Sequence, residues 1–147
     1  MLEVFRIHAL YCAVNKDNVS SCECLTLTED GVEEDYHSDN QILMLDMDTF
    51  NRMNQNNALC MKSFYANIIY DNSMNIHLSK GDAFRKNELL LKITKIGKRC
   101  HISDGCNYLI SHDNCPLKEN TIYLECLNAG TVKLNDQWEV IKCIDTP

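Results

Sequence analysis

ELLLKITKI, residues 88–96, has the two-residue period of a strand: Leu89, Leu91, Ile93 and Lys95 fall on one face and Leu90, Lys92 and Thr94 on the other. KGD at 80–82 reads as the turn that leads into it. Upstream, EVFRIHALYCAV (3–14) is predicted as a strand, with Val4 through Val14 largely alternating or apolar. SSCECLTLT (20–28) is predicted as a second strand and QILMLDM (41–47) as a short buried one. Asp46 or Asp48 is placed to cap a short helix from about 49 to 56, with Phe50 and Met53 on one face. FYANIIY (64–70) and MNIHLS (74–79) add two short strands. Downstream, TIYLECL (121–127) suits a strand or a helix, and GTVKLNDQWEVIKCI (130–144) one or two strands. The polar, acidic EDGVEEDYHSDN (29–40) reads as a loop. Many short strands, little helix and no repeat predict a mainly β, β-barrel-like single domain.

The chain has 147 residues, which suits a single domain spanning 1–147. The net charge is -7 and the pI about 5.1, which disfavours nucleic acid or an anionic membrane as a general partner. No apolar run approaches the ~18 residues of a spanning helix. The start, MLEVFRIHALYCAV, lacks a basic head and is broken by Glu3, Arg6 and His8, so it is a poor export signal. Nine cysteines, an odd number with no such signal before them, point to a reducing cytoplasmic setting, with most thiols acting as small hydrophobes. Trp138, with Val140 and Ile141, is expected to pack inside the barrel.

Beyond the deciding strand the chain reads GKRCHISDGCNYLISHDNC, residues 97–115. Lys98, Arg99 and His101 surround Cys100, and cations beside a thiol stabilise the thiolate, which is both nucleophile and metal ligand. Cys100, His101, Cys106 and Cys115 are also the ligand types of a Cys3His zinc site, although adjacent ligands are an unusual spacing. A disulfide between Cys106 and Cys115 is disfavoured in a cytosol.

The order of these motifs resembles the MOSC domain (the molybdenum cofactor sulfurase C-terminal domain), in its small stand-alone form. That family runs G-x-x-G-D-x-H, Q-V-S-L-L, E-N-[IL], a long strand ending I-G-K-x-C-H, two further cysteines, and G-G-x-I-x-x-G-D. The corresponding segments are GVEEDYH (31–37), QILML (41–45), ANI (66–68), LSKGDAFRKNELLLKITKIGKRCH (78–101) and NAGTVKLND (128–136). The resemblance implies a closed barrel of the pyruvate-kinase β-barrel-like type with one or two short helices. It implies that Cys100 carries sulfur or ligates molybdenum on a pterin cofactor. Lys98, Arg99, His37, Asp35 and Asn67 would then line the cofactor site. Sulfur transfer, molybdenum-dependent reduction of N-hydroxylated compounds, or a non-enzymatic binding role would follow, with cofactor-biosynthesis or sulfur-donor proteins as partners.

Several family positions differ. The glycine of G-D-x-H is Glu34, and the glutamate of E-N is Ala66. The I-G pair before the long strand is Lys86-Asn87, and the last G-D glycine is Asn135. Asn tolerates the left-handed backbone, so turns at 87 and 135 are expected to persist. The family's M-P-R-E-G-I-F is LKENTIY here, with Lys118, Glu119 and Thr121 at the proline, arginine and glycine positions.

Overall fold

The computed structural model describes residues 3–13, 18–33, 35, 42–55, 66–97 and 119–143. Among these residues eleven strands and a helix run in chain order: β1 (Val4–Ala13), β2 (Val19–Cys22), β3 (Cys24–Thr28), β4 (Gly31–Val32), β5 (Ile42–Asp46), α1 (Met47–Gln55), β6 (Ile68–Asp71), β7 (Ala83–Lys86), β8 (Leu89–Ile96), β9 (Ile122–Asn128), β10 (Gly130–Lys133) and β11 (Gln137–Ile141). The main sheet has the order β11-β7-β8-β9-β5-β6-β1, and pairing of β11 with β1 closes those seven strands into a barrel. Closure leaves no unpaired edge in the ring. β2 extends the sheet beyond the ring by pairing with β1, and β10, β3 and β4 form a separate small sheet.

Two apolar cores explain the strand patterns. Phe5, Ile7, Leu10, Ile42, Met44, Leu91, Ile93, Leu124 and Trp138 belong to the inner one, together with Leu25, Leu27 and Val132 from the small sheet. Leu43, Leu45, Ile69 and Met53 form the second, where α1 lies against the outer wall. β5 is therefore buried on both faces, which is why its run ILML is continuously apolar. Asp46 caps α1: its Oδ2 accepts from the Thr49 backbone N–H at 2.9 Å.

Trp138 is fully buried beside Phe5 and Phe84, with ring centroids 5.7 and 6.0 Å away, so it packs the barrel as expected. Asn87 and Asn135 have φ of 56° and 69°, so asparagine does keep both turns. Gly81 in the KGD turn has φ of 96°.

Five readings change. Within the predicted loop over 29–40, Gly31–Val32 is a short strand paired with β3. The predicted single strand over 20–28 is two strands in different sheets, parted at Glu23. MNIHLS is not a strand: the Asn72 side chain accepts from Ile76 N and donates to Ile76 O, both at 2.9 Å, taking the place of a ladder partner. β7, unread in the sequence, makes a hairpin with β8 across Asn87-Glu88. In β8 a register shift between Ile93 and Lys95 ends the alternation, so Lys95 is exposed rather than in line with Ile93.

Candidate functional site

Two polar regions occupy the two ends of β6. At its head, Asn67 is completely buried. Met44 of β5 is in register with Ile68, so Asn67 lies beside Leu43. Its Oδ1 accepts from Leu43 N at 3.1 Å. Its Nδ2 donates to Tyr11 O and to Asp35 Oδ2, each at 3.3 Å. The Asn67 carbonyl accepts from Tyr11 N at 2.9 Å. Asp35 Oδ1 accepts from Ala13 N at 2.8 Å. Asp35 and Asn67, singled out from two separate motifs, thus meet, and together they tie the end of β1 to β5 and β6. Ala66, at the family's glutamate position, is buried against the outer core.

At the other end of β6 opens a cavity of about 400 Å³, lined by Asp46, Asp48, Tyr70, His77, Ile96 and Glu119 among others. That volume falls at the low end of the roughly 300–1,000 Å³ typical of small-molecule sites. A second hollow of about 320 Å³ shares Asp46, Asp48, Asn72 and Asn75 with it. Asp46, Asp48 and Glu119 bring three carboxylates to the cavity, and no lysine or arginine among the described residues lines it. Burial, reinforced by the Asp46 charge, pushes the Tyr70 phenol far above its ordinary value, so it remains an O–H donor. Neither Asp35 nor Asn67 lines this cavity.

β8 ends at the cavity: Ile96 is on its wall, and Gly97 N donates to Thr121 O at 2.7 Å. Gly97 is the last described residue on the N-terminal side of the stretch that holds Cys100. Cys100, Lys98, Arg99, His37, His101, Cys106 and Cys115 themselves lie outside the described residues. Among the described residues no three His, Cys, Asp or Glu side chains are arranged to hold a metal. No helix among them is long and apolar enough to cross a membrane.

Sequence reasoning missed the cavity residues. Asp46 was legible only as a helix cap, while Tyr70 and His77 reach the site through strand register and the Asn72 loop. Glu119 was visible as a change from the family's arginine, and the cavity gives that change a place.

No family model matches the sequence, and no curated protein matches it. Solved structures do match in shape. The YuaD protein of Bacillus subtilis superposes with a TM-score of 0.67 at 13% identity, over 98% of this chain and 100% of its own. A structure described as that of a hypothetical protein gives 0.62 at 17% identity, over 97% of this chain and 69% of its own. YiiM of Escherichia coli gives 0.59 at 18% identity, over 96% of this chain and 72% of its own. At such identities the likeness bears on the fold, which is MOSC-like.

Proposed function

We propose that this MOSC-like protein carries sulfur on the Cys100 thiol. The observation behind this reading is the path of β8, whose last residue, Ile96, lies on the wall of the 400 Å³ cavity four positions before Cys100. In such a role the Cys100 thiolate attacks the outer sulfur of a donor persulfide. The donor's S–S bond breaks, the donor leaves as a thiolate, and Cys100 holds the new persulfide. Lys98 and Arg99 would favour the thiolate needed for that attack.

A molybdenum-pterin cofactor is the other group implied by the resemblance. The described cavity lining does not fit its anionic phosphate, because Asp46, Asp48 and Glu119 repel it and no described lysine or arginine there offsets them. No step is therefore assigned to that cofactor. The same acidity favours a second reading, a non-enzymatic relative that binds a partner or small molecule.

Incubation with a low-molecular-weight persulfide followed by peptide mass spectrometry tests the first reading. A one-sulfur mass increase on Cys100, absent from Cys100→Ala, is expected. A Cys100 that resists both persulfide and alkylating agents would sink sulfur carriage and leave the binding role.

A further inference from the structure

We infer that Cys12 and Cys22 form a dithiol that closes to a disulfide by exchange with a small disulfide. β1 and β2 pair antiparallel with Leu10 opposite Cys22 and Cys12 opposite Ser20. The two cysteines are therefore diagonal neighbours on one face of the hairpin. Their sulfurs are 2.9 Å apart, about 0.9 Å more than an S–S bond of ~2.04 Å. Both side chains are partly exposed while packing against the edge of the inner core. The pair thus combines contact with access.

The two strands are held differently, and closure exploits this. Cys12 lies between Tyr11 and Ala13, whose backbone groups are bonded to Asn67 and Asp35. Cys22 is the last residue of β2, outside the closed ring and paired in the sheet with β1 alone. One sulfur is fixed within the barrel, and the other ends a strand outside the ring, one residue before Glu23, whose carbonyl accepts from Leu134 N, so the remaining gap closes from the β2 side.

The chemistry needs an oxidant, and a low-molecular-weight disulfide supplies it. One cysteine thiolate attacks a sulfur of the small disulfide, releasing one small thiol and leaving a mixed disulfide. The second cysteine, as thiolate, attacks the protein sulfur of that mixed disulfide. The second small thiol leaves, and the Cys12–Cys22 bond forms. Two protein thiols are oxidised, one small disulfide is reduced, and the two protons pass to the released thiols.

The test uses the full chain and oxidised glutathione, with unreacted thiols alkylated at timed intervals. Trypsin cuts after Lys16, between the two cysteines, so closure appears as a linked peptide pair that reduction separates. A Cys24→Ser background removes the ambiguity of Cys22 and Cys24 sharing a peptide. The expected result is that Cys12–Cys22 links at least tenfold faster than any other cysteine pair. Cys22→Ser is expected to arrest Cys12 as the glutathione mixed disulfide. Asp35→Ala is expected to slow ring closure severalfold, leaving mixed-disulfide formation unchanged, and Asp35→Asn, which keeps an acceptor for Ala13 N, to restore it. A different pair closing first, or mixed disulfides on Cys12 and Cys22 that never link, would overturn the proposal.

Discussion

The two ends of β6 use the same kinds of residue for opposite purposes. At the head, Asn67 and Asp35 spend their polar atoms on backbone groups of β1 and β5 and on each other. At the tail, Asp48, His77 and Glu119 line an open cavity, beside Asp46, one of whose oxygens caps α1. The ends are separated by a four-residue strand, roughly 13 Å at the usual rise. A motif residue can therefore persist for either of two reasons, and burial separates them. A fully enclosed side chain bonded to backbone holds the fold, whereas one on a cavity wall is available to a ligand.

The largest expected effect breaks the head. Asn67→Ala orphans Leu43 N and removes the donor to Tyr11 O. Each buried group left unpaired costs ~1–3 kcal/mol, so a loss of about 3 kcal/mol is expected. Urea unfolding followed by fluorescence of Trp138, the one tryptophan, measures it. If the unfolding midpoint of Asn67→Ala stays at the parent value, the head is not a structural clamp.

This contrast shows how far the sequence could be read. The strand over 89–93 was legible because one face is buried and the other is wet, which writes a period of two. Beyond Ile93 the bulge defeats that period, since an extra residue flips the pattern without changing composition. The loop at 72–76 was misread for a related reason. Asn72 imitates a strand partner with its side chain, and a local hydrogen bond has no periodicity to detect. Asn87 and Asn135 were legible because the left-handed turn restricts residue type. The site was harder. Motif order pointed to Asp35 and Asn67 without revealing that they meet, because their contact spans 32 positions and depends on the β1–β6 register. The cavity carboxylates come from two segments far apart in the chain, Asp46 with Asp48 and then Glu119, so no local pattern assembles them.

The next prediction concerns Asp82, a buried carboxylate in the β7 turn and another case of polar atoms spent on backbone. Burial acts to raise its pKa. Donation from Cys143 N, Lys142 Nζ and Ser79 N outweighs that and leaves it below the ordinary value. The unfolded chain thus takes up this proton at a higher pH than the folded one. Its stabilisation is complete above the unfolded value of about 4 and is lost as pH falls through the lower folded value. Asp82→Asn is expected to lower stability at pH 7 by about 2 kcal/mol, through loss of charge-assisted bonds. It is also expected to flatten the dependence of the urea midpoint below pH 4. Parent and variant curves that stay parallel down to pH 2.5 would contradict this account of Asp82.

At the tail, Asn72→Ala removes both clamps on Ile76 and so loosens one cavity wall. Two half-buried bonds at about 1 kcal/mol each imply a loss of about 1–2 kcal/mol, less than at Asn67. Amide hydrogen exchange locates it: faster exchange at Ile76 with β1 and β5 unchanged is expected. Equal acceleration throughout the barrel would mean that the tail is as structural as the head.

The smallest effect is the one that separates the two ends by function. Asp48→Asn with Glu119→Gln removes two charges from the cavity without touching the Asp46 cap or the inner core. The described ion pairs do not involve either carboxylate, so the change breaks none of them. Stability is therefore expected to stay within about 0.5 kcal/mol of the parent, as for most surface substitutions. Ligand preference should move instead. Exposed charge interactions are worth roughly 0.2–1 kcal/mol each, so affinity for a probe anion such as pterin phosphate should rise about threefold or more at low salt. Raising the ionic strength should shrink that gain, because solvent-exposed charges are screened. A gain that survives high salt would mean the substitutions reshaped the cavity rather than removed its repulsion. Unchanged affinity at low salt would show that these carboxylates do not govern what enters, and that the tail's openness, unlike the head's closure, carries no chemical preference of its own.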